Sequence, residues 1–325
     1  MEMSELKYKL KGCESFAIRE GWLNKGLSAI NNNETIFTEK NAMDKLGVGS
    51  KMVKSIRYWL LATGLCYETK KGRTKGESQK IKTRLTENFG EIIYKYDKYF
   101  EDIFTLWILH YNLVRNQEFS TVWNLFFNKF NAQSFQRIDM SNRILDEFNK
   151  IYNKDNSLYN AVNDDCNVIL KMYSTSDEDI NIDPEDNLSS PFNELGLIRK
   201  NINVKGNYSK VKPVYNKLDK LVILYILLCN IEENEKKQKN ITLEDKNNSE
   251  NNMIRSVDID TLLLGENNVG RVLNLDRVMI NEYLDQLRQS GYITINRTAG
   301  LDMVYIQNSL SPKDVLEKYY KQNDL

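Results

Sequence analysis

The spacing of apolar and polar residues predicts two short helices near the amino terminus. The first runs through Ala42, Met43 and Leu46, and the Gly-Val-Gly sequence after Leu46 is expected to end it. Ser50 is expected to cap the second helix. The apolar residues that recur at helical spacing on its inward face are Val53, Ile56 and Leu60.

A hairpin with a basic loop is predicted directly after the second helix. Gly64 ends the helix, "LCYET" and "QKIKTRLT" have the composition of strands, and "KKGRTKGES" between them is a basic loop with two glycines. Helix, tight turn, helix and basic hairpin are the parts of a winged helix-turn-helix. Residues 1–90 are therefore predicted to form an amino-terminal winged-helix domain that binds DNA.

The second helix and the hairpin carry the candidate DNA contacts. In the helix these residues are Lys51, Lys54, Ser55, Arg57 and Tyr58. In the hairpin they are Lys70, Lys71, Arg73 and Lys75. Ser55 and Tyr58 are expected on the outward face, where they could contact bases or sugars, whereas the basic side chains are expected on phosphates. Winged helices also serve as adaptors between proteins, and this alternative stays open.

The carboxyl-terminal part of the chain, residues 211–325, repeats the pattern. "LVILYILLCNI" predicts a buried helix, a short helix capped near Ser256 or Asp258 follows, and a longer helix runs from about Asp276 to Gln289 before Gly291 and a hairpin at "NRTAG". Acidic and basic residues alternate on the longer helix, so a protein contact is favoured there over phosphate. The polar segment 234–252 is expected to be a mobile insertion.

Residues 91–210 are expected to form a helical middle domain, so the fold class is mainly α. The core helices are unusually aromatic, as in "YFEDIFTLWILHYNLV". His110 fits a packing residue better than a catalyst, and Asp102 fits complementarity to the helix dipole at least as well as acid–base chemistry. The acidic run 164–186 is expected to be a solvated loop. Two alternatives remain: Asp177, Asp179 and Asp183 could hold a hard cation, or the run could mask the basic residues of the amino-terminal domain when DNA is absent.

Composition and charge narrow the function classes. The 325 residues have a net charge of zero, but residues 1–90 hold 17 Lys or Arg against 10 Asp or Glu, and residues 91–200 hold 11 against 18. A basic head of this kind attracts a polyanion. Four dispersed cysteines and a single histidine exclude the usual zinc sites, so no metal ligands are expected. Neither a signal peptide nor a membrane span is recognisable, and a cytoplasmic protein is expected.

Five blocks of the sequence resemble one bacterial protein family. They are "GCESFAIREGWLNKG", "AMDKLGVGSKMVKSIRYWLLATGL", "YFEDIFTLWILHYNL", "EDNLSSPFNELGLI" and "NVGRVLNLDRVMINEYLDQLRQSGYITINRTAG". The family was formerly of unknown function. Its members accompany DNA phosphorothioation genes, and they include the B component of the single-strand phosphorothioation (Ssp) defence systems. The resemblance covers roughly residues 10–310, and the sequence departs from it at Cys13, where members usually have histidine.

The resemblance implies a DNA-binding and strand-nicking subunit of a phosphorothioation and antiphage defence system. The implied partners are double-stranded DNA, a cysteine desulfurase, an ATP-pyrophosphatase-like sulfur transferase and an ATPase; a homodimer is left open. The alternative is a winged-helix transcriptional regulator that binds DNA without cutting it, and a third interpretation is a pure adaptor. A nuclease would need carboxylates for Mg²⁺ or Mn²⁺, or a nucleophile, and no catalytic residue is assigned.

The first block offers two interpretations. Glu14, Arg19, Glu20, Trp22 and Lys25 match the family, and Arg19 and Lys25 are candidate phosphate ligands. The same residues also fit an ordinary helix start. In that case Phe16, Ile18, Trp22 and Leu23 face inward and the charged side chains stay in water.

Overall fold

A computed structural model describes residues 6–70, 81–175, 190–201, 203–204, 206–242, 255–298, 302–307 and 309–323. The chain divides into two compact units, Met1–Val214 and Tyr215–Leu325. Helices dominate both units, which confirms a mainly α fold. Residues 1–90 and 91–210 lie in the same unit, so no break between compact units falls at the boundary predicted near residue 90.

The amino-terminal unit begins with three helices and a hairpin. They are α1 (Trp22–Asn32), α2 (Ala42–Leu46), α3 (Ser50–Ala62), β1 (Cys66–Lys70) and β2 (Ile81–Leu85). Gly47 ends α2 in the left-handed conformation, at φ 60°, as the Gly-Val-Gly sequence predicts. Gly49, not Ser50, is the residue before α3, and its first turn has no side-chain cap. The predicted cap by Ser50 is therefore wrong.

Helix α3 is the central element of this first part. Ile56, Trp59 and Leu60 are fully buried, and α1 packs across them. A Cβ on Gly26 of α1 would lie 2.6 Å from Leu60 Cδ1, so the absence of a side chain lets the two helices approach closely. The close approach holds α3 firmly against the rest of the unit.

The rest of the amino-terminal unit is built on aromatic helices. They are α4 (Gly90–Tyr96), α5 (Ile103–Arg115), α6 (Thr121–Asn128), α7 (Arg137–Tyr152) and α8 (Tyr159–Tyr173). Helix α5 is buried on every side from Phe104 to Tyr111, as expected for an apolar helix at the centre of a core. Ser120 stands at the amino end of α6, but its hydroxyl donates to backbone carbonyls of Leu113 and Asn116. The side chain of Ser120 therefore does not cap α6.

A small mixed sheet, absent from the sequence prediction, joins the helices. Its strands are β3 (Ser134–Gln136), β4 (Ser174–Thr175), β5 (Ile198–Lys200) and β6 (Asn207–Lys210), in the order β3-β6-β5-β4. Strands β4 and β5 are parallel and the other pairs antiparallel. The strands have only two to four residues, which is too short for a period-2 pattern to be recognised.

The acidic run 164–186 does not begin as a solvated loop. Residues 164–173 belong to α8, and Asp165 within them is only 3 % exposed. The loop prediction is therefore wrong for this part of the run. Asp177, Asp179 and Asp183 lie outside the described residues.

The carboxyl-terminal unit contains a long buried helix, three shorter ones, a three-stranded sheet and a closing helix. They are α9 (Lys220–Thr242), β7 (Ser256–Asp258), α10 (Ile259–Leu264), α11 (Val269–Val272), α12 (Arg277–Gln289), β8 (Ile293–Asn296), β9 (Met303–Ile306) and α13 (Pro312–Gln322). The antiparallel sheet has the order β7-β9-β8. Asp258 caps α10 through the Thr261 amide, and Gly291, at φ 75°, follows α12, as predicted.

Helix α9 continues through residues 234–242, where the sequence predicts the start of a mobile insertion. That prediction is wrong for these residues, and 243–252 lie outside the described part. None of the helices that the structure describes has an apolar stretch long enough to cross a bilayer.

Candidate nucleic-acid interface

Two lysines on α3 are open to solvent. Lys51 is exposed at the first turn of the helix. Lys54, one turn later, is also exposed, and its ammonium lies 3.6 Å from the Glu14 carboxylate. An exposed pair at this distance contributes little to folding and can exchange its partner for a phosphate. Both side chains are therefore open to solvent, and their contact with DNA stays a prediction.

Ser55 and Tyr58 face the interior, so the prediction that they lie on the outward face of α3 is wrong. Ser55 is fully buried, and its hydroxyl donates to the carbonyl oxygen of Cys13 at 3.1 Å. Tyr58 is 4 % exposed, and its hydroxyl donates to the carbonyl oxygen of Phe119 at 2.9 Å. Burial raises the pKa of Tyr58 well above its usual value. Both side chains are packing residues that cannot reach a base from this position.

Arg57 is engaged within the protein. Its guanidinium donates two hydrogen bonds to the Glu68 carboxylate on β1, at 2.5 and 2.7 Å, and both side chains are mostly buried. A bidentate pair of this kind fixes the hairpin strand to α3. Arg57 is therefore a structural residue in this conformation, and its charge is neutralised by Glu68.

The second strand of the hairpin is also paired with a carboxylate. Lys82 and Arg84 both bind Glu34, at 2.6 and 2.7 Å. The hydrogen bonds from Arg84 and then Lys82 lower the pKa of Glu34 to about 2. Both cations of the strand therefore have a partner within the protein, although the single carboxylate offsets only one of their two positive charges. Lys71, Arg73 and Lys75 of the hairpin loop, and the side chain of Lys70, lie outside the described residues.

The first sequence block, residues 12–26, forms a turn that packs against α3, and the start of α1 follows the turn. Residues 11–16 are a tight turn in which Lys11, Glu14 and Ser15 are left-handed, with φ of 56°, 50° and 68°. The carbonyl of Cys13 accepts from Ser55, and the carbonyl of Phe16 accepts from the Trp59 indole at 3.1 Å. The helix itself begins only at Trp22, so the predicted helix start covers just the end of the block.

Glycine is required at position 12 of this turn. A Cβ there would lie 2.3 Å from Cε2 of Tyr58, which is itself held by its bond to Phe119. Left-handed residues other than glycine each cost about 1–2 kcal/mol and persist only where the surroundings impose them. The contacts with α3 are what impose this turn.

A buried carboxylate anchors the same turn to α8. Asp165 accepts a hydrogen bond from the Lys11 amide at 3.0 Å, and the Cys13 thiol lies 3.8 Å from its other oxygen. Burial raises the pKa of Asp165 to about 7, which outweighs the opposite effects of these two donors. Burial also raises the pKa of Cys13 far above its ordinary value, so the thiol is not a reactive thiolate.

Arg19 and Lys25 lie beyond the turn. The Arg19 guanidinium is half-buried over the rings of Phe16 and Trp22, at 5.8 and 5.5 Å from their centres. Lys25 is exposed on α1. Ile18, Trp22 and Leu23 are buried, as the architectural interpretation of the block predicts, and Phe16 is half-buried.

The middle helices hold the other candidates. His110 is fully buried, with Nδ1 2.8 Å from the Tyr173 hydroxyl and its ring against Phe127, as the packing interpretation expects. Asp102 caps α5 by accepting from the Phe104 amide at 2.8 Å. Neither geometry is that of an acid–base catalyst facing a cleft. Within the described residues no three His, Cys, Asp or Glu side chains are placed to hold a metal ion.

Asp165 and Glu68 are the residues that the sequence analysis missed. Asp165 falls within a run that was expected to be solvated, and Glu68 is one of the few acids among the basic residues of the head. An acid isolated in a basic segment is a signal that could have indicated the pair with Arg57. Asp165 gives no comparable signal, because its burial depends on a contact 154 residues away along the chain.

Comparisons with known proteins identify the family and the fold. The family model "Protein of unknown function (DUF4007)" matches residues 11–320. A magnesium-ion-bound crystal structure of SspB has a TM-score of 0.78 and 22 % identity, covering 96 % of this chain and 88 % of that one. A second SspB crystal structure has a TM-score of 0.75 at the same identity and coverage. No curated protein sequence matches the chain.

The resemblance inferred from the five blocks is thus confirmed, because both of these solved structures are of SspB. At 22 % identity the likeness establishes the fold. The chain is therefore a member of the DUF4007 family and has the fold of SspB.

Proposed function

We propose that the protein is the DNA-binding subunit of a bacterial DNA phosphorothioation and antiphage defence system. The observation that carries the proposal is the exposure of Lys51 and Lys54 on a helix that follows a tight turn and precedes a hairpin with a basic loop. The fold shared with SspB supports the assignment to this kind of system.

In this proposal α2, α3, β1 and β2 act as a winged helix-turn-helix. Helix α3 approaches the major groove by its amino-terminal end, where Lys51 and Lys54 lie. Since Arg57, Lys82 and Arg84 are paired with carboxylates, the remaining phosphate contacts fall to the loop with Lys71, Arg73 and Lys75. Contacts of this kind bind DNA with little dependence on sequence.

Strand nicking is the second part of the proposal, and it rests on the family resemblance. Nicking would open one strand so that sulfur can replace a non-bridging phosphate oxygen. The experiment is incubation of supercoiled plasmid with the purified protein, with and without Mg²⁺ or Mn²⁺. Conversion to the open circular form supports a nickase; intact plasmid together with tight binding contradicts it.

The transcriptional regulator is distinguished by its binding mode. A regulator binds a pseudo-palindrome as a symmetric dimer and leaves the plasmid intact, whereas a modification subunit binds with loose sequence preference and co-purifies with sulfur-transfer proteins. Sedimentation of the protein with palindromic and random duplexes separates the two. An adaptor would bind those proteins and neither duplex.

For the carboxyl-terminal unit we propose contact with a partner protein through α10 and α12. Arg277 is paired with Asp260 and Arg288 with Asp285, so little positive charge is left for phosphate. Leu264 and Val278 are apolar but 59 % and 65 % exposed. Val278→Asp should abolish co-purification with the sulfur-transfer or ATPase subunits and leave DNA affinity unchanged. Retained co-purification would contradict this contact.

A further inference from the structure

Two hydrogen bonds fix the position of α3 relative to the turn at residues 11–16. Ser55 and Trp59 donate them to the carbonyls of Cys13 and Phe16, and at the surface Lys54 lies beside Glu14 of the turn. The ring of Tyr58 packs on Gly12. Thus the turn touches the exposed lysine face of α3 on one side and its buried face on the other.

The position of the turn depends on Asp165. Its carboxylate accepts the Lys11 amide and faces the Cys13 thiol, and the Lys11 ammonium binds neighbouring Asp164 at 2.7 Å. Left-handed backbone at Lys11, Glu14 and Ser15 relaxes unless such contacts hold it. Asp165 is 3 % exposed, so water does not substitute for it.

We propose that Asp165 is a positioning residue for DNA binding, because it holds the strained turn that sets the position of α3 and of Lys54. This inference rests on the proposed DNA-binding function and adds proton control to it. Burial penalises the ionised carboxylate more than its two donors stabilise it, so the enclosed turn is more stable when Asp165 carries its proton. DNA affinity should therefore fall when Asp165 loses its proton.

Asp165 is suited to titrate near neutral pH, since its burial raises its pKa to about 7. The titratable groups that interact with it are Lys11, Cys13, Tyr58, Asp164 and Cys166. Burial raises the pKa of Cys13 and of Tyr58 far above neutrality, and a hydrogen bond to Asp164 raises that of Lys11. These three groups keep their protons between pH 6 and 8.

The test measures the affinity for a labelled duplex from pH 6 to 8 at constant ionic strength. The wild type should bind about threefold to tenfold more weakly at pH 8 than at pH 6, the range that a change in one hydrogen-bonded acceptor supports. Asp165→Asn keeps the shape and an acceptor oxygen but cannot ionise, so its affinity should not change with pH. Groups that titrate elsewhere contribute equally to both proteins.

Asp97→Asn is the matched control. Asp97 is also buried and also accepts hydrogen bonds from the backbone, from the amides of Glu101 and Asp102, but it does not touch the turn. This variant should keep the wild-type pH profile. Ser55→Ala, which breaks the link between turn and α3 without changing a charge, should weaken binding and reduce the pH dependence even if Asp165→Asn does not fold.

The outcomes separate this inference from the function on which it rests. If the wild type binds no duplex at any pH, the proposed function fails. If it binds and Asp165→Asn shows the same pH profile, the DNA-binding function stands and the positioning role of Asp165 is refuted. Unchanged affinity of Ser55→Ala, in a folded protein, also refutes it.

Discussion

The hydroxyl of Ser55 donates a hydrogen bond to the carbonyl oxygen of Cys13 at 3.1 Å, in the buried interior of the amino-terminal unit. This bond joins α3 to a strained turn 42 residues earlier in the chain. It also determines which face of α3 is turned to solvent: Lys51 and Lys54 remain outside, and Ser55 is inside. The surface of α3 that is proposed to bind DNA therefore includes fewer side chains than the helical spacing of polar residues predicts.

The exposed lysines should govern the salt dependence of DNA binding. Each phosphate contact contributes about −0.9 to the slope of log affinity against log salt. Lys51→Ala with Lys54→Ala should reduce the slope by about two units, and the triple change of Lys71, Arg73 and Lys75 to Ala by about two to three. Fluorescence anisotropy with a labelled duplex at several salt concentrations measures this.

Lys150→Ala is a suitable control for the lysine variants. Lys150 is an exposed lysine on α7 that pairs with Glu147, and it lies far along the chain from α3. Its replacement by Ala therefore removes one lysine charge without changing α3. Its salt slope should equal that of the wild type. An equal loss of slope in this variant would show that net charge, and not the α3 surface, determines binding.

Arg57 should matter for stability more than for DNA. Its replacement by Ala leaves the mostly buried Glu68 without its bidentate partner, which should cost about 1–3 kcal/mol. Arg84→Ala removes an exposed pair with Glu34 and should cost much less, because solvent screens such a pair. Urea denaturation compares the two. Equal costs would mean that the Arg57–Glu68 pair is not a structural link.

Gly12→Ala should destabilise the amino-terminal unit. The added methyl group meets the Tyr58 ring, which cannot move without losing its bond to Phe119, and overpacking of this kind costs about 1–3 kcal/mol. Gly49→Ala is the matched control, because no atom lies within 4 Å of its added Cβ. Thermal unfolding should separate the variants; similar midpoints would place the turn away from Tyr58 in solution.

Arg19→Ala should weaken DNA binding and lower plasmid nicking while it changes stability little, because a guanidinium at the surface contributes at most about 1 kcal/mol to folding. Trp22→Ala provides the contrast. Trp22 is 6 % exposed, so its loss should cost about 3–5 kcal/mol and reduce function through unfolding. Wild-type binding and nicking by a folded Arg19→Ala protein would make the first block purely architectural.

The stability of the protein should fall as pH rises from about 4 to 7. Asp165 has a pKa of about 7 when folded against an ordinary value of 3.8, so the folded state holds the proton more tightly. The resulting stabilisation is fully present below the pKa of Asp165 in the unfolded state and is lost as the pH rises to 7. It amounts to about 1.4 kcal/mol for each unit by which the folded pKa exceeds the unfolded one. Denaturant titrations at pH 5 and 8 measure the free energy of unfolding, and for Asp165→Asn this free energy should not show the same decrease with pH.

Asp155→Asn is the control for that measurement. A hydrogen bond from Ser157 lowers the pKa of Asp155, so this residue is almost fully ionised in both the folded and the unfolded state at pH 5 and at pH 8. The stability of Asp155→Asn should fall with rising pH as that of the wild type does. If Asp165→Asn behaves in the same way, the carboxyl of Asp165 is not the group that titrates.

The local pattern of the sequence was sufficient for the helices but not for the direction of every side chain. Helices α2 and α3 and the stop at Gly47 follow from apolar spacing and from glycine, which act within a few residues. Ser55 and Tyr58 share a helical face with Lys51 and Lys54 in the pattern. A small serine and a tyrosine can still be buried when a distant segment supplies the partners.

The partners that turn those residues inward come from far along the chain. Cys13 accepts from Ser55, Phe119 accepts from Tyr58, and Asp165 anchors the turn. Helical periodicity contains no information about such contacts. For the same reason the short strands β3 to β6 were missed, since their pairing joins Phe135 with Tyr208 and leaves little local signal.

The contact between the Lys11 amide and Asp165 also constrains the order of folding during synthesis. Lys11 leaves the ribosome 154 residues before its acceptor, and the Lys9 amide precedes its acceptor Thr121 by 112 residues. Until α8 has been translated, the turn has no anchor at Asp165, and α3 is held by its packing against α1. The arrangement proposed to bind DNA is thus completed only after α8 has been made, so a chain truncated before Asp165 should bind DNA more weakly.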